Sequence, residues 1–192
     1  RRVLFRSHKH SQLTMDNICI QYHKTKIGEL ILGSFKEKLC LLDFNFRKMR
    51  NAVDDRIKKG LNAEFKEEDS DIIEKTRTEL EEYFQGERKE FDVPIQMVGT
   101  DFQKSVWNAL LKVPYGTTSS YLQLAKVINN AKAVRAVASA NGANSMAIII
   151  PCHRIIGSNG ELVGYAGGLP IKKRLLTLEK KQEFYTQIPL PI

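Results

Sequence analysis

The sequence contains little cysteine and no long apolar run. Of its 192 residues only Cys19, Cys40 and Cys152 carry a thiol, and these cannot all pair with one another. Their wide spacing predicts free thiols in a reducing compartment, and hence a cytoplasmic protein. No stretch of about 18 or more apolar residues is present, so neither a membrane-spanning helix nor a membrane partner is expected. The basic start is not followed by an apolar segment, which argues against a secretory signal.

A recognisable metal-binding pattern is also missing. Cys19, His23 and Cys40 offer possible ligands, but residues 19 and 23 fall in one predicted strand, where they would lie roughly 13 Å apart. No spacing typical of a zinc site connects the three positions. We therefore predict no metal and interpret Cys19 and Cys40 as core residues.

Acidic residues are scarce in the second half of the chain. Residues 1–98 contain 19 Lys or Arg and 18 Asp or Glu, whereas residues 99–192 contain 11 and 4. The second half thus carries nearly all of the net charge of +8. Such asymmetry is expected of a half that faces a polyanion such as DNA. The alternative is a solvated basic surface without a partner.

The change in charge coincides with a break near residues 98–100, which divides the chain. We predict an N-terminal α/β domain over residues 15–98, a second domain over 99–185 and a tail over 186–192. Residues 1–14 are basic and aperiodic, and we interpret them as an expression remnant or a disordered lead. A chain of this length is long enough for one sizeable domain or two small ones.

The first half shows strand periodicity followed by helix periodicity. Residues 18–46 alternate apolar and polar side chains, which predicts an antiparallel meander. Its strands are expected near 18–22, 28–34 and 39–46. Residues 47–69 are charged and aperiodic, which predicts a loop with one short helix. Ser70 or Asp71 then begins an amphipathic helix that Gly86 ends.

The second half is predicted to be mostly helical. Helices are expected over 101–112, 121–128 and 131–140, and a final helix over 171–183. The tight turn at Asn129-Asn130 makes the second and third a helix-turn-helix pair. Residues 148–153 are predicted to form a buried strand, and residues 158–160 a hairpin turn that returns through 162–165.

Cys152 and His153 follow an apolar run and form the first candidate for chemistry. A free thiol is only slightly ionised at neutral pH, so a reactive cysteine needs a neighbouring base. Neighbouring residues on a strand point to opposite faces, so His153 would reach the thiol only through a water or a local bend. The alternative is that both residues are structural.

The segment Ile150-Pro151-Cys152-His153-Arg154-Ile155-Ile156, with Gly164-Tyr165-Ala166-Gly167-Gly168 downstream, closely resembles the O6-alkylguanine-DNA alkyltransferase family. Similarity spans residues 70–180 in order and with compatible spacing. The other matching motifs are Tyr83-Phe84-x-Gly86, Phe91-Asp92-x-Pro94, Phe102-Gln103-x-x-Val106-Trp107, Pro114-Tyr115-Gly116, Ser120-Tyr121-x-x-Leu124-Ala125, Arg135-Ala136-Val137, Ala140-Asn141-x-x-Asn144 and Lys172…Leu175-Leu176…Glu179.

The resemblance implies a role for each matching residue. Cys152 would accept the alkyl group, His153 would draw the thiol proton through a water, and Glu179 would orient that histidine. Tyr121 would assist base flipping and protonate the departing guanine. Asn144 would tie the recognition helix to the segment that carries the cysteine. For Glu179, Tyr121 and Asn144 the alternatives are a solvated carboxylate, a core tyrosine and a local turn residue.

The resemblance also implies a DNA surface and a base pocket. Arg135 would enter the base stack in place of the flipped nucleotide. Ala133, Ala136 and Ser139 belong to a helix of small residues, which would dock in the minor groove or pack on another helix. The predicted pocket residues are Val163, Gly164, Tyr165 and Ala166.

Three positions depart from the pattern of the family. Ala138 stands where a glycine is usual, Ser145 where a proline is common, and Ala166 where a serine is frequent. None belongs to the nucleophile relay. These departures bear on rate and substrate range.

The resemblance thus predicts an α/β fold and an irreversible reaction. A ribonuclease H-like domain, formed by the meander and a helix, would precede a mostly helical winged helix-turn-helix domain. The protein would move the alkyl group of O6-methylguanine, and less readily of O4-methylthymine, from duplex DNA to Cys152. It would react once, as a monomer and without a cofactor, in the cytoplasm or, in a prokaryote, at the nucleoid. The alternatives are a non-catalytic module that binds alkylated bases and a Cys-His hydrolase.

Overall fold

The computed structural model describes residues 16–186, with side chains up to residue 180. The interpretation of residues 1–14, and most of the predicted tail, therefore lie outside the described residues. The chain folds into a four-stranded sheet with two helices, followed by a mostly helical part. The α/β prediction is confirmed.

The predicted meander is present as β1 (Asp16–Thr25), β2 (Gly28–Phe35) and β3 (Lys38–Phe44), paired antiparallel. The region expected to be a loop with a short helix instead forms helix α1 (Arg50–Leu61) and strand β4 (Ala63–Glu67). Strand β4 lies at the sheet edge, parallel to β1. Only its first residue is buried, so the apolar alternation that reveals a strand is absent from its sequence.

Helix α2 (Asp71–Gln85) begins and ends as predicted. The Ser70 hydroxyl accepts a hydrogen bond from the Ile73 amide at 3.2 Å, and Gly86 adopts φ 91°, the left-handed conformation that closes a helix. Ser70 Oγ also lies 2.7 Å from Ser34 Oγ of β2. This start fixes the helix on the sheet and places Tyr83, near its other end, in the core.

The second half contains α3 (Asp101–Leu110), α4 (Tyr121–Val127), α5 (Val134–Gly142) and α6 (Leu169–Thr186). Reciprocal capping boxes begin α3 and α4. Helix α5 begins three residues later than predicted, because the chain first makes a turn in which the Ala133 amide bonds the Asn130 carbonyl at 2.9 Å. The short strands β5 (Ser119–Ser120) and β6 (Ile155–Ile156) pair in parallel.

The buried strand predicted over residues 148–153 is wrong. Residues 147–150 form turns, with φ 72° at Ile148, and Cys152–Arg154 form one turn of 3₁₀ helix. A short apolar run is equally compatible with a strand and with a buried turn. The predicted return strand is also absent. The turn at 158–160 exists, but the Val163 and Gly164 carbonyls accept hydrogen bonds from Lys172 Nζ rather than from a strand.

The two halves share a buried apolar cluster and a backbone connection. Leu42 of β3 exchanges hydrogen bonds with the segment that leads to Cys152: its amide donates to the Ser145 carbonyl at 2.9 Å, and its carbonyl accepts from Ala147 at 2.6 Å. Residues of β2, β3, α2 and α6 pack around the same segment. Strand β3 therefore positions the segment that leads to Cys152. Among the described residues no helix is long and apolar enough to cross a membrane.

The cap of α2 can be tested by removing one hydroxyl. Ser70→Ala is expected to lower the free energy of unfolding by about 1 kcal/mol, because the Ile73 amide loses its acceptor. The measurement is urea unfolding followed by circular dichroism. Thr78→Ala, which removes an exposed hydroxyl inside the same helix, is the control and should change stability by only a few tenths of a kcal/mol. Equal changes in the free energy of unfolding of both variants would contradict the assignment of Ser70 as the cap of α2.

Candidate active site

Cys152 lies at the start of the 3₁₀ turn, with its side chain directed toward Asn144. The residue is only 4% exposed, and its Sγ accepts a hydrogen bond from Asn144 Nδ2 at 3.2 Å. Burial raises the pKa of the Cys152 thiol, while the bond from Asn144 lowers it in part. The thiol is thus kept protonated by its surroundings, and a base is needed to ionise it.

Asn144 connects several parts of the loop that carries the cysteine. Its Nδ2 also donates to the Ile150 carbonyl at 2.9 Å and approaches the Met146 carbonyl at 3.3 Å. Its Oδ1 accepts from the Met146 amide at 2.9 Å. One buried side chain thereby satisfies backbone groups that no regular strand could pair. Because the same amide reaches the sulfur, the loop and the nucleophile are held together.

His153 is fully buried and forms a pair with Glu179 of α6. Its Nε2 lies 2.7 Å from Glu179 Oε1. The carboxylate also accepts from Arg154, whose Nε and Nη2 lie at 2.9 and 3.0 Å, from the Tyr83 hydroxyl at 2.8 Å and from the Gly116 amide at 3.1 Å. Five contacts thus saturate one buried carboxylate.

The charges of this pair follow from its partners. Burial alone would raise the pKa of Glu179, but the hydrogen bonds from His153 and Arg154 lower it to about 2. Burial lowers the pKa of His153, against the attraction of the carboxylate, so the ring is neutral at neutral pH. A neutral ring that donates from Nε2 to Glu179 has its lone pair at Nδ1. Nδ1 is buried and has no hydrogen-bond partner among the described residues, so His153 presents a free base.

A cavity of about 550 Å³ opens onto Cys152. Its walls come from both halves of the chain: the loop after β3, the start of α4, the second half of α5, and the glycine-rich segment before α6. The residues that line it are Phe46, Arg47, Lys48, Met49, Tyr121, Ala138, Asn141, Gly142, Asn144, Ala147, Cys152 and 164–168. Its volume is in the range of small-molecule sites.

The glycine-rich wall depends on residues without side chains. Gly164 and Gly168 adopt φ of 48° and 87°. At Gly167 a Cβ would lie 2.7 to 2.9 Å from the ring of Phe44. Lys172, fully buried, donates to the carbonyls of Ile155, Val163 and Gly164 and closes the segment onto the cysteine turn. This wall is therefore held by backbone contacts and one ammonium group.

Comparison with known proteins identifies the family. The model of the 6-O-methylguanine DNA methyltransferase ribonuclease-like domain matches residues 18–97, and that of its DNA-binding domain matches residues 101–181. The methylated-DNA--protein-cysteine methyltransferase of Methanosarcina acetivorans is 48% identical over 156 residues, 81% of this chain and 94% of that protein. The chain belongs to the 6-O-methylguanine DNA methyltransferase family.

Other relatives agree with this assignment. The constitutive methylated-DNA--protein-cysteine methyltransferase of Bacillus subtilis is 40% identical over 158 residues, 82% of this chain and 92% of that protein. The structure of Mycobacterium tuberculosis OGT in complex with DNA has a TM-score of 0.73 and 38% identity, and covers 86% of this chain and 94% of that one. The predicted family is confirmed, as is the order of a ribonuclease-like domain before a DNA-binding domain.

The structure brings together most of the residues that the family resemblance singled out. Cys152, Asn144 and Tyr121 line one cavity, together with the pocket residues Gly164, Tyr165 and Ala166. Predicted pocket residue Val163 is not among the lining residues. His153, the residue after the cysteine, forms a pair with Glu179.

The predicted DNA-binding residues lie on α5, beside the cavity. Arg135, Ala136 and Ser139 are arranged along its outer side and are exposed, and Ala133 is half-buried at the start of the helix. Ala138, one of the departures from the family pattern, contributes to the cavity wall. The small side chains leave the backbone of α5 accessible on the side that carries Arg135.

Sequence reasoning missed the partners that hold Glu179. Arg154 and Tyr83 were visible only as members of motifs that match the family, with no role assigned to either. Both contacts join residues far apart in the chain, at separations of 25 and 96. An arginine directly beside a buried motif, with no acidic neighbour in sequence, was the available signal.

The low pKa of Glu179 predicts a dependence of stability on pH. A carboxyl whose pKa falls from 4.5 to about 2 on folding stabilises the fold above its ordinary pKa, and the stabilisation is lost as pH falls through the folded value. The parent protein should therefore be more stable than Glu179→Gln at neutral pH, and the difference should shrink below about pH 4.5.

The measurement is urea unfolding at a series of pH values. Glu161→Gln, at an exposed position, is the control and should show no such trend. A stability difference between the parent protein and the Glu179→Gln variant that stays constant down to about pH 2 would contradict the ionised, paired carboxylate.

Proposed function

We propose that this protein repairs DNA by moving the alkyl group of O6-alkylguanine to Cys152. The observation that carries the proposal is a buried thiol, held by Asn144, at the base of a cavity in a chain whose family is defined by methylguanine repair. O4-methylthymine is the less favoured substrate. The cavity built from both halves is proposed to take one extruded nucleotide.

The reaction is a displacement at carbon. Cys152 Sγ forms a bond to the alkyl carbon while the bond from that carbon to O6 breaks, and the electron pair of the broken bond stays on the purine. The products are a thioether and guanine. A thioether has no good leaving group, so each molecule reacts once. Because the protein itself accepts the alkyl group, no cofactor takes part.

His153 is proposed as the base that takes the thiol proton. Its Nδ1 is neutral and unpaired among the described residues, while Nε2 is fixed on Glu179. Because Nδ1 makes no direct hydrogen bond to the thiol, we infer that one water carries the proton between them. Glu179 stabilises the imidazolium that forms and holds the ring in the required tautomer.

Tyr121 is proposed as the acid that protonates the departing purine. Burial raises the pKa of its hydroxyl, with a smaller contribution from Cys152, so the group keeps its proton at neutral pH. Its Oη lies on the cavity side, 3.6 Å from the point where a Cβ of Gly164 would be. Solvent exchange would return the proton from His153 to Tyr121 after the reaction.

Helix α5 is proposed to bind the minor groove and Arg135 to replace the flipped nucleotide. The small side chains of Ala136 and Ser139 let the helix backbone approach DNA closely, and the minor groove permits a search that does not depend on sequence. The protein would act as a monomer, in a reducing compartment where Cys152 stays a free thiol. The boundary between the two domains is proposed near residues 98–100.

Alkyl transfer is tested by mass spectrometry after incubation with duplex DNA that contains O6-methylguanine. The Cys152 peptide should gain one methylene group per protein molecule, and the DNA should be left with guanine. Cys152→Ser should show no gain, and Cys19→Ala, in the half-buried thiol of β1, should react like the parent protein.

Two outcomes would contradict the proposal. Repeated turnover with a regenerated thiol would indicate a hydrolase. Binding of the lesion without any gain of mass would indicate a module that only recognises alkylated bases.

Arg135 is tested by comparing two substrates. Arg135→Ala should slow alkyl transfer from duplex DNA about tenfold or more, because the flipped state loses the side chain that fills the stack. Transfer from the free base O6-methylguanine needs no flipping and should be unchanged. The measurement is the single-turnover rate with each substrate, and Lys132→Ala, at the exposed position before the helix, is the control. Equal slowing with both substrates would contradict the role of Arg135.

A further inference from the structure

Two arginines of the N-terminal half bind the C-terminal end of α5. Arg47 Nη2 donates to the Gly142 carbonyl, and its Nη1 donates to the Asn144 carbonyl at 2.7 Å. Arg56 Nη2 donates to the Ala143 carbonyl at 2.9 Å. Three successive carbonyls at the end of the helix predicted to bind DNA thus accept from residues almost a hundred positions earlier in the chain.

The need for these contacts follows from the helix itself. The last carbonyls of a helix lack intrahelical partners, and they carry the negative end of its dipole. Helix α5 has no basic residue in its last turn. The amides of Ala143 and Asn144 bond the carbonyls of residues 139–141, which leaves the Gly142 carbonyl and the two that follow it to other partners. Guanidinium groups from the other half supply both the hydrogen bonds and the positive charge.

The arginines are themselves fixed. Asp43, fully buried at the end of β3, accepts from Arg47 Nη1 at 2.7 Å and from Arg50 at 3.1 Å. Arg56 lies over the ring of Trp107, at 5.5 Å from its centre. Arg47 is only 9% exposed, so the bonds that it makes are shielded from water.

We propose that Arg47 and Arg56 are positioning residues for alkyl transfer, which hold the end of α5 so that the Asn144 side chain contacts the Cys152 sulfur. The peptide of Asn144 is bound on its carbonyl side by Arg47, and its side chain donates to Cys152 Sγ at 3.2 Å. A shift of this peptide would move the amide away from the sulfur. The proposal rests on the proposed function of Cys152.

The test is Arg47→Lys. Lysine keeps the positive charge that acts on the cysteine from this position and can still pair with Asp43, but it lacks the planar fork that joins the Asn144 and Gly142 carbonyls. Asp43 and Lys172 also act electrostatically on Cys152, and neither is changed. At saturating substrate the rate of alkyl transfer should fall about tenfold.

Two further readouts separate positioning from general structure. The loss should be the same with duplex DNA that contains O6-methylguanine and with the free base O6-methylguanine, because the defect lies at the sulfur. The rising part of the pH–rate profile should also move to higher pH, because the bond from Asn144 lowers the pKa of the Cys152 thiol. Arg56→Lys, which changes one carbonyl contact and the stacking on Trp107, should show a smaller effect in the same direction.

Arg50→Lys is the matched control. Arg50 pairs with the same Asp43 and with Asp54, but among the described contacts it makes none with residues 140–144. Its variant should lose similar thermal stability and keep the rate and pH profile of the parent protein.

The outcomes distinguish this proposal from the function on which it rests. If Arg47→Lys and Arg56→Lys match Arg50→Lys in rate and in pH profile while the parent protein transfers the alkyl group, the positioning role is overturned and the function stands. If Arg47→Lys slows transfer from DNA alone, the contacts of Arg47 serve DNA binding and the proposal is overturned. A parent protein that gains no alkyl group would overturn the proposed function.

Discussion

The sulfur of Cys152 must be buried to meet an extruded base, yet burial opposes the anion that attacks. Withdrawal from water raises the pKa of the thiol, and only the Asn144 amide offsets this by direct contact among the described residues. The fold resolves the conflict by keeping a separate base close by. His153 remains neutral through its own burial, and Glu179 fixes which nitrogen carries the lone pair.

The N-terminal half contributes to this arrangement although it contains none of the residues proposed to react. Strand β3 pairs with the segment before the cysteine loop, Tyr83 of α2 donates to Glu179, and Arg47 binds the end of α5. The cavity is lined by the loop after β3 as well as by α5. The site is therefore a property of the interface between the halves, and a separated C-terminal half would lack part of its support.

How much of this could be predicted from the sequence depended on the range of the interaction. The cap at Ser70, the meander and the Cys-His motif are local signals, and all three are present. The turn at Cys152 was mistaken for a strand, because its apolar residues carry no periodicity and its backbone is satisfied by the Asn144 side chain. Strand β4 was missed because only Ala63 is buried. The bonds of Arg154 and Arg47 join distant residues, and no pattern within a window of sequence reports such pairs.

Titration of the Cys152 thiol tests the central claim most directly. In a protein with Cys19→Ala and Cys40→Ala, ultraviolet absorbance of the thiolate would be followed as pH rises. The account predicts a pKa above the ordinary value of 9.0, so that the thiol is protonated at neutral pH and is ionised only as His153 takes its proton in the reaction. A thiol that is already ionised at neutral pH in the free protein would contradict it.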